Sequence, residues 1–243
     1  YAGSMEKVRL PHTVAVTPFN NFDEGIYQKV SGYRTTFTTQ PKWEGKLVLL
    51  TIEAAAHQSE VFLNGVSVGT HNCGYTSFTI NLTPHLAPSG KKNVLTVKVD
   101  SRESIDVPPF GFVIDYMTYG GIYRDVYLEV KNPVFISDVA IATKTNHFTS
   151  EVTLNTTKGV EGFSLRQTIT PAEKPDADPA AEIVTGVSNT KTLTAADAAP
   201  VQAWSLEHPF LYVLTTELLD SKKKVVDTNT VRFGFRDIRF DST

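Results

Sequence analysis

The sequence predicts an all-β protein built as two β-sandwiches in tandem. Three observations carry that prediction. Apolar and polar residues alternate with a period of two along most of the chain, as half-buried strands require. No stretch of a dozen residues holds a 3.6-residue period. A seam falls at Lys131-Asn132-Pro133, where a strand-like run ends and a proline stops any continued central ladder. Domain boundaries follow as 1–132 and 133–243, the second close to the size of an immunoglobulin-like domain.

The strands follow in chain order. "GYRTTFTT" from Gly32 is the first, and "KLVLLTIEA" from Lys46 is apolar enough for a central strand covered on both faces. "SEVFLNGVSVGTH" carries Asn64-Gly65 between β-rich flanks. Both residues tolerate positive φ, so the pair predicts a two-residue type I′ hairpin. "TSFTINL" follows. In "NVLTVKVD", Leu95, Val97 and Val99 face one way while Thr96 and Lys98 face the other. "GIYRDVYLEV" puts Ile122, Arg124, Val126, Leu128 and Val130 on one face and Tyr123, Asp125, Tyr127 and Glu129 on the opposite one. An arginine on an apolar face predicts a buried ion pair for Arg124. Beyond the seam, strands are expected at "VFISDVAIATKT", "EVTLNTT", "FSLRQTIT", "FLYVLTTELLD" and "KVVDTNTVRFGF". "PAEKPDADPAAE" from Pro171 reads as an exposed loop, "TAADAAP" from Thr194 as one short turn, and Lys222–Lys224 as a solvated hairpin tip.

Composition narrows the function. The chain has 243 residues, 41% hydrophobic and 20% charged, with a formal net charge of −3. That is globular, and without a basic face neither nucleic acid nor an anionic membrane is an expected partner. One cysteine, Cys73, cannot form an internal disulfide, which points to a reducing compartment. No run of ~18 apolar residues spans a membrane. No signal-peptide core opens the chain, so Met5 reads as the natural start and the bacterial cytoplasm as the location.

Common catalytic and metal signatures are missing: no GxSxG elbow, no P-loop, no HExxH, no cysteine pair. His12, His57, His71, His85, His147 and His208 are scattered, none at metal spacing with another. Hence no metal and no cofactor is expected. Cys73 lies two residues from His71, which on a strand would share its face; a small half-buried thiol is the plainer reading. Carboxylates are more informative. An ionised Asp accepts hydrogen bonds from two vicinal hydroxyls of a sugar, and a neighbouring aromatic ring covers the sugar's C–H face. Asp115, beside Tyr116 and Tyr119, is one such candidate, and Asp23-Glu24 after "FNNF" is another. A loop acid bonded to local amides is the alternative for Asp115.

Several stretches carry a resemblance. "VRLPHTV" from Val8, "FNNFDEGIYQKVSGYRTTF" from Phe19, "EVFLNGVSVGTHNCGYTSFTINLT" from Glu60 and "VDSRESIDVPPFGFVIDYMTYGGIYRDVYLEV" from Val99 resemble the N-terminal region of glycoside hydrolase family 2. So do "WSLEHPFLYVL" and "VRFGFRDIRF" nearer the end. The family contains β-galactosidases, β-glucuronidases and β-mannosidases. The resemblance covers nearly the whole chain, in the family's order. It implies a galactose-binding-like jelly roll followed by an immunoglobulin-like sandwich. It also implies a (β/α)₈ barrel carrying two catalytic glutamates, for which this chain has neither the ~250 residues nor the alternating helices. The sequence therefore reads as a piece cut from a longer, β-galactosidase-like retaining glycosidase that forms homo-oligomers, and no catalytic residue is assigned here. Glu53, Glu60, Glu103 and Glu129 lie on sandwich elements and do not take those roles.

The resemblance carries over Asp115 as a substrate-binding residue: an acid just before "GGIYR" reaches from the first domain to hydroxyls of the sugar in the −1 subsite. Asn20, in the "FNNFDE" loop, is a second substrate-binding candidate, with Asn21 and Asp23 behind it. "VPPFGF" would brace the Asp115 loop, Tyr119 and Tyr123 would pack at the sandwich or its seam, and Trp204 would anchor a loop of the second domain. Two other classes compete. A stand-alone carbohydrate-binding module with an immunoglobulin-like spacer would bind free sugar, and a structural or adhesive β-sandwich would make no use of Asp115.

Overall fold

A computed structural model describes residues 5–17, 23–108, 110, 118–157 and 159–239. The protein is all-β, and its sheets are antiparallel throughout. It divides into two compact units, Tyr1–Lys131 and Asn132–Thr243.

The first unit contains β1 (Val30–Thr38), β2 (Leu47–Ile52), β3 (Gln58–Leu63), β4 (Val66–His71), β5 (Phe78–Asn81), β6 (Lys92–Asp100) and β7 (Val126–Lys131). They form a four-stranded sheet ordered β1-β6-β3-β4 and a three-stranded sheet ordered β5-β2-β7. Inward side chains of both sheets make one core: Leu50 and Ile52 from β2, Val61 and Leu63 from β3, and Leu95, Val97 and Val99 from β6. Burying each such side chain contributes about 1.5–3 kcal/mol. The alternation in β6 thus has the predicted cause. β2 is the centre of its sheet, with Val48, Leu50 and Ile52 inward and Leu47 and Leu49 only half-buried on the other face. The hairpin between β3 and β4 turns at Asn64 (φ +53°) and Gly65 (φ +86°), as type I′ geometry requires. Its asparagine has a second task. Asn64 Nδ2 donates to the buried Asn93 Oδ1 (3.1 Å), and Asn93 donates to Thr39 Oγ1 (2.8 Å). The turn is therefore tied to the interior as well as to its own strands.

The second unit contains β8 (Val134–Lys144), β9 (His147–Thr156), β10 (Ser164–Pro171), β11 (Ala181–Gly186), β12 (Lys191–Asp197), β13 (Tyr212–Leu219) and β14 (Val225–Phe233). The sheets run β11-β10-β13-β14 and β12-β9-β8. Between them lies an apolar core that includes Phe148, Val152, Leu165, Ile169, Leu214, Leu218 and Phe235. That core also holds polar atoms. Gln167 Nε2 donates to Ser150 Oγ (2.6 Å) and Thr216 Oγ1 (3.2 Å), and Thr194 Oγ1 donates to Gln167 Oε1 (2.5 Å). All four residues are buried. Four strands, β9, β10, β12 and β13, are pinned by this one amide.

Three expectations are corrected. The "TAADAAP" stretch is not a turn: its first four residues end β12, paired to β9 from Lys191 to Asp197. β11 and β12 were not among the predicted strands at all. The strand after the Gly-Gly pair starts at Val126 rather than Ile122, because residues 122–125 leave the ladder.

Replacing Gln167 by Ala should destabilise the second unit by about 2–4 kcal/mol, since three buried hydroxyls lose their common partner and a cavity opens. Urea titration followed by amide exchange should show the loss in residues of the second unit and not in those of the first.

Candidate functional site

Between β6 and β7 the chain leaves the sandwich, and residues 101–125 form the connection that carries position 115. Asp115, Tyr116 and Met117 lie outside the described residues, as do Asn20, Asn21 and half of "VPPFGF". The base of the connection is described, and it is unusually closed.

The outgoing leg starts at Ser101, which is fully buried. Its hydroxyl donates to the Ala56 carbonyl (2.7 Å) and accepts the Gly121 N–H (3.2 Å). Its own N–H donates to the Lys29 carbonyl (3.0 Å). The return leg runs through Thr118, Gly120, Gly121 and Ile122. Ala56 N–H donates to Gly121 O (2.9 Å), so Ser101 and the backbone of Ala56 join both legs. From the other side comes the strap His12–Val14. His12 N–H donates to Ile122 O (2.7 Å) and Val14 N–H to Gly120 O (3.0 Å). Tyr27, beyond a single 3₁₀ turn at Glu24–Ile26, is hydrogen-bonded to Thr118 Oγ1 through its hydroxyl.

This packing explains the Gly-Gly pair. A Cβ on Gly120 would stand 2.6 Å from Val14 Cγ2 and 2.8 Å from both Ser101 Oγ and Tyr27 O. On Gly121, at φ +103°, it would overlap the Tyr33 hydroxyl. Tyr33 in turn hydrogen-bonds His12 Nδ1 at 3.0 Å, and burial pushes its phenol pKa up. The described residues flanking Asn20 (the strap and Tyr27) and those flanking Asp115 (Ser101 and Thr118) thus meet at one end of the first unit. The described flanks of the two segments share a base.

Under the base lies His57, 2% exposed, with neither ring nitrogen hydrogen-bonded. Burial pushes its pKa below the ordinary value, against the opposing pull of the Glu103 and Asp100 carboxylates. Gly74 allows the close fit, since a Cβ there would lie 3.0 Å from His57 Nδ1. Tyr123 is half-buried, and its hydroxyl donates to the Gly74 carbonyl. Tyr123 is therefore a structural brace within the first unit, while Tyr119 is exposed. Arg124 is exposed too, which overturns its expected burial in an ion pair. It precedes β7, so the period-two argument does not reach it.

The remaining candidates fall apart. Asp23 is exposed, and its Oδ1 accepts the Gly25 N–H (2.9 Å), a local loop bond. His71 hydrogen-bonds Thr76 (2.9 Å) and stacks on Phe78 rather than engaging Cys73. Cys73 is half-buried, and a hydrogen bond with the Thr76 side chain holds its thiol pKa below the ordinary value. Trp204 anchors its loop in the second unit, donating its N–H to Phe235 O (2.8 Å) and facing Arg236. Among the described residues, no group of three or more His, Cys, Asp or Glu could hold a metal ion, and no helix is long and apolar enough to cross a membrane.

Comparison with known proteins follows this geometry. Residues 6–133 match the sugar binding domain of glycosyl hydrolases family 2, and residues 134–236 match a second region of glycosyl hydrolases family 2. The chain belongs to glycosyl hydrolases family 2. A β-galactosidase of Thermoanaerobacter pseudethanolicus is 31% identical over 241 residues, which is 98% of this chain and 32% of that protein. A β-galactosidase of Thermoanaerobacterium thermosulfurigenes is 41% identical over 140 residues, 58% of this chain and 20% of that protein. Other family 2 relatives are described as β-glucuronidases. The crystal structure of Bacteroides uniformis β-glucuronidase has the same fold, with a TM-score of 0.82 at 24% identity over 97% of this chain and 29% of that one. The chain spans about a third or less of the length of these family 2 proteins.

Two outcomes test the base. Gly121→Ala should destabilise the first unit by about 3 kcal/mol or more, from the positive φ and the overlap with Tyr33 together, measured by urea denaturation. His57 sets a pH dependence. Its folded-state pKa is depressed, so the unfolded chain takes up a proton that the folded chain refuses. The resulting stability is complete above the ordinary histidine value of about 6.5 and is lost as pH falls from there through the folded value. His57→Asn should therefore flatten the fall in melting temperature below that pH.

Proposed function

We propose that this chain is the N-terminal, non-catalytic part of a retaining glycosidase, β-galactosidase-like in specificity. In this reading the first unit is a galactose-binding-like jelly roll over 1–132 and the second an immunoglobulin-like domain over 133–243. The first supplies one wall of an active site whose catalytic glutamates belong to a barrel further along the polypeptide. Asp115 contacts sugar hydroxyls from that wall, and Asn20 lies on the same side.

The observation that supports this best is the shared base. The described flanks of two segments remote in sequence are hydrogen-bonded together in a sandwich that matches a sugar-binding domain, and each segment's sequence contains a polar candidate. A carboxylate held on a rigid wall can select a hydroxyl pattern and exclude water without performing the bond cleavage itself. Cleavage with retention needs two carboxyls about 5–5.5 Å apart flanking the glycosidic bond, and those stay with the barrel. The β-galactosidase preference rests on the relatives at 31% and 41% identity. A chain with one cysteine and no disulfide suits a reducing cytoplasm.

The test uses the longer polypeptide that continues this chain through its catalytic domain. It should hydrolyse an aryl β-galactoside faster than the corresponding β-glucuronide or β-mannoside. Asp115→Asn should lower kcat/KM by about tenfold or more, a loss of at least ~1.4 kcal/mol of transition-state stabilisation. Unchanged kinetics would remove Asp115 from the site. Calorimetry on the 243-residue chain alone should detect almost no galactose binding, whereas micromolar binding would favour a free-standing carbohydrate-binding module.

A further inference from the structure

Tyr27 belongs to no strand, yet it is 1% exposed and among the largest fully buried side chains of the protein. It is also absent from the apolar core between the two sheets of its unit. Its hydroxyl and its carbonyl both reach the base of the connection instead, the carbonyl lying 2.8 Å from where a Cβ on Gly120 would stand. A tyrosine buried this far keeps its hydroxyl only if that hydroxyl finds a partner. The partner is Thr118 Oγ1, which donates to it at 2.5 Å from a residue 91 positions away and 3% exposed. No other side chain–side chain bond among the described residues reaches the return leg between Thr118 and Ile122.

We propose that Tyr27 is a positioning residue for Asp115, acting through Thr118. The proposal rests on the reading of Asp115 as a sugar contact. Three residues of chain reach at most about 11 Å, so an anchor at Thr118 limits where residue 115 can stand. The backbone bonds at Gly120, Gly121 and Ile122 fix the leg further on. Among the described residues, the hydroxyl pair is the fixed point of the return leg nearest in sequence to position 115.

Removing a single oxygen atom tests this, because Tyr27→Phe leaves the buried ring in place. In the 243-residue chain, Tyr27→Phe and Thr118→Val should each raise amide exchange of a peptide covering residues 111–119 by roughly tenfold, with the strands of the first unit little changed. Thr118→Ser, which keeps the hydroxyl, should stay close to the original protein. Exchange that does not change at 111–119 overturns the proposal. In the longer polypeptide, Tyr27→Phe should lower kcat/KM about fivefold and should cost nothing further in an Asp115→Asn background, since coupled residues are non-additive. An undiminished loss in that background overturns the proposal and leaves Tyr27 a packing residue only. A longer polypeptide that hydrolyses no β-glycoside overturns the functional reading instead. That failure is seen with tyrosine at position 27 and is independent of the exchange result.

Discussion

No side chain fits at positions 120 and 121, and the first unit is organised around that constraint. With hydrogen atoms in place of Cβ atoms, the return leg of the 101–125 connection can lie directly against the strap at His12–Val14, the Tyr27 carbonyl and the Ser101 hydroxyl. The bonds that Ser101, Ala56 and the strap make to Gly120, Gly121 and Ile122 are then either backbone to backbone or backbone to one short hydroxyl. Such contacts leave little room for alternative rotamers, which is what a fixed origin for a long connection needs. The glycines do more than turn the chain. They let a loop end as tightly packed as a strand, without ladder pairing along its length.

The two units bury polar groups in different ways. In the second, Gln167 is saturated by hydroxyls from strands of both sheets, and a satisfied network of this kind adds specificity to an apolar core. In the first, His57 is buried with its ring nitrogens unbonded and stays neutral through desolvation. The Gln167 network holds no titratable group, whereas His57 contributes stability to the first unit that is lost in acid.

Much of the fold was legible because its cause is local. The alternation of Leu95, Val97 and Val99 and the Asn64-Gly65 turn both act within a few residues. β12 was not legible, for a physical reason. Its inward residues are the polar Thr192 and Thr194, the latter bonded to Gln167, while Leu193 points outward and is 69% exposed. The hydrophobic alternation is inverted there, so a pattern reading sees no strand. Arg124 misled in the opposite way, since the alternation of β7 was carried back past the point where the ladder ends. At the candidate site, Asp115 and Asn20 came from chemistry and resemblance. The base that joins their segments did not, because Tyr27 and Thr118, or Ala56 and Gly121, are far apart in sequence and share no motif.

The division between base and surface has a consequence for how this unit can change over time. The described fixed points lie at 12–14, 27, 56, 101 and 118–122. Exposed positions between them, such as Ile105 and Asp106, take no part in those bonds. Substitutions there can alter the surface while the bonds are kept, much as variable loops vary on a constant scaffold. Glu103 and Val107 lack that freedom, because both are buried.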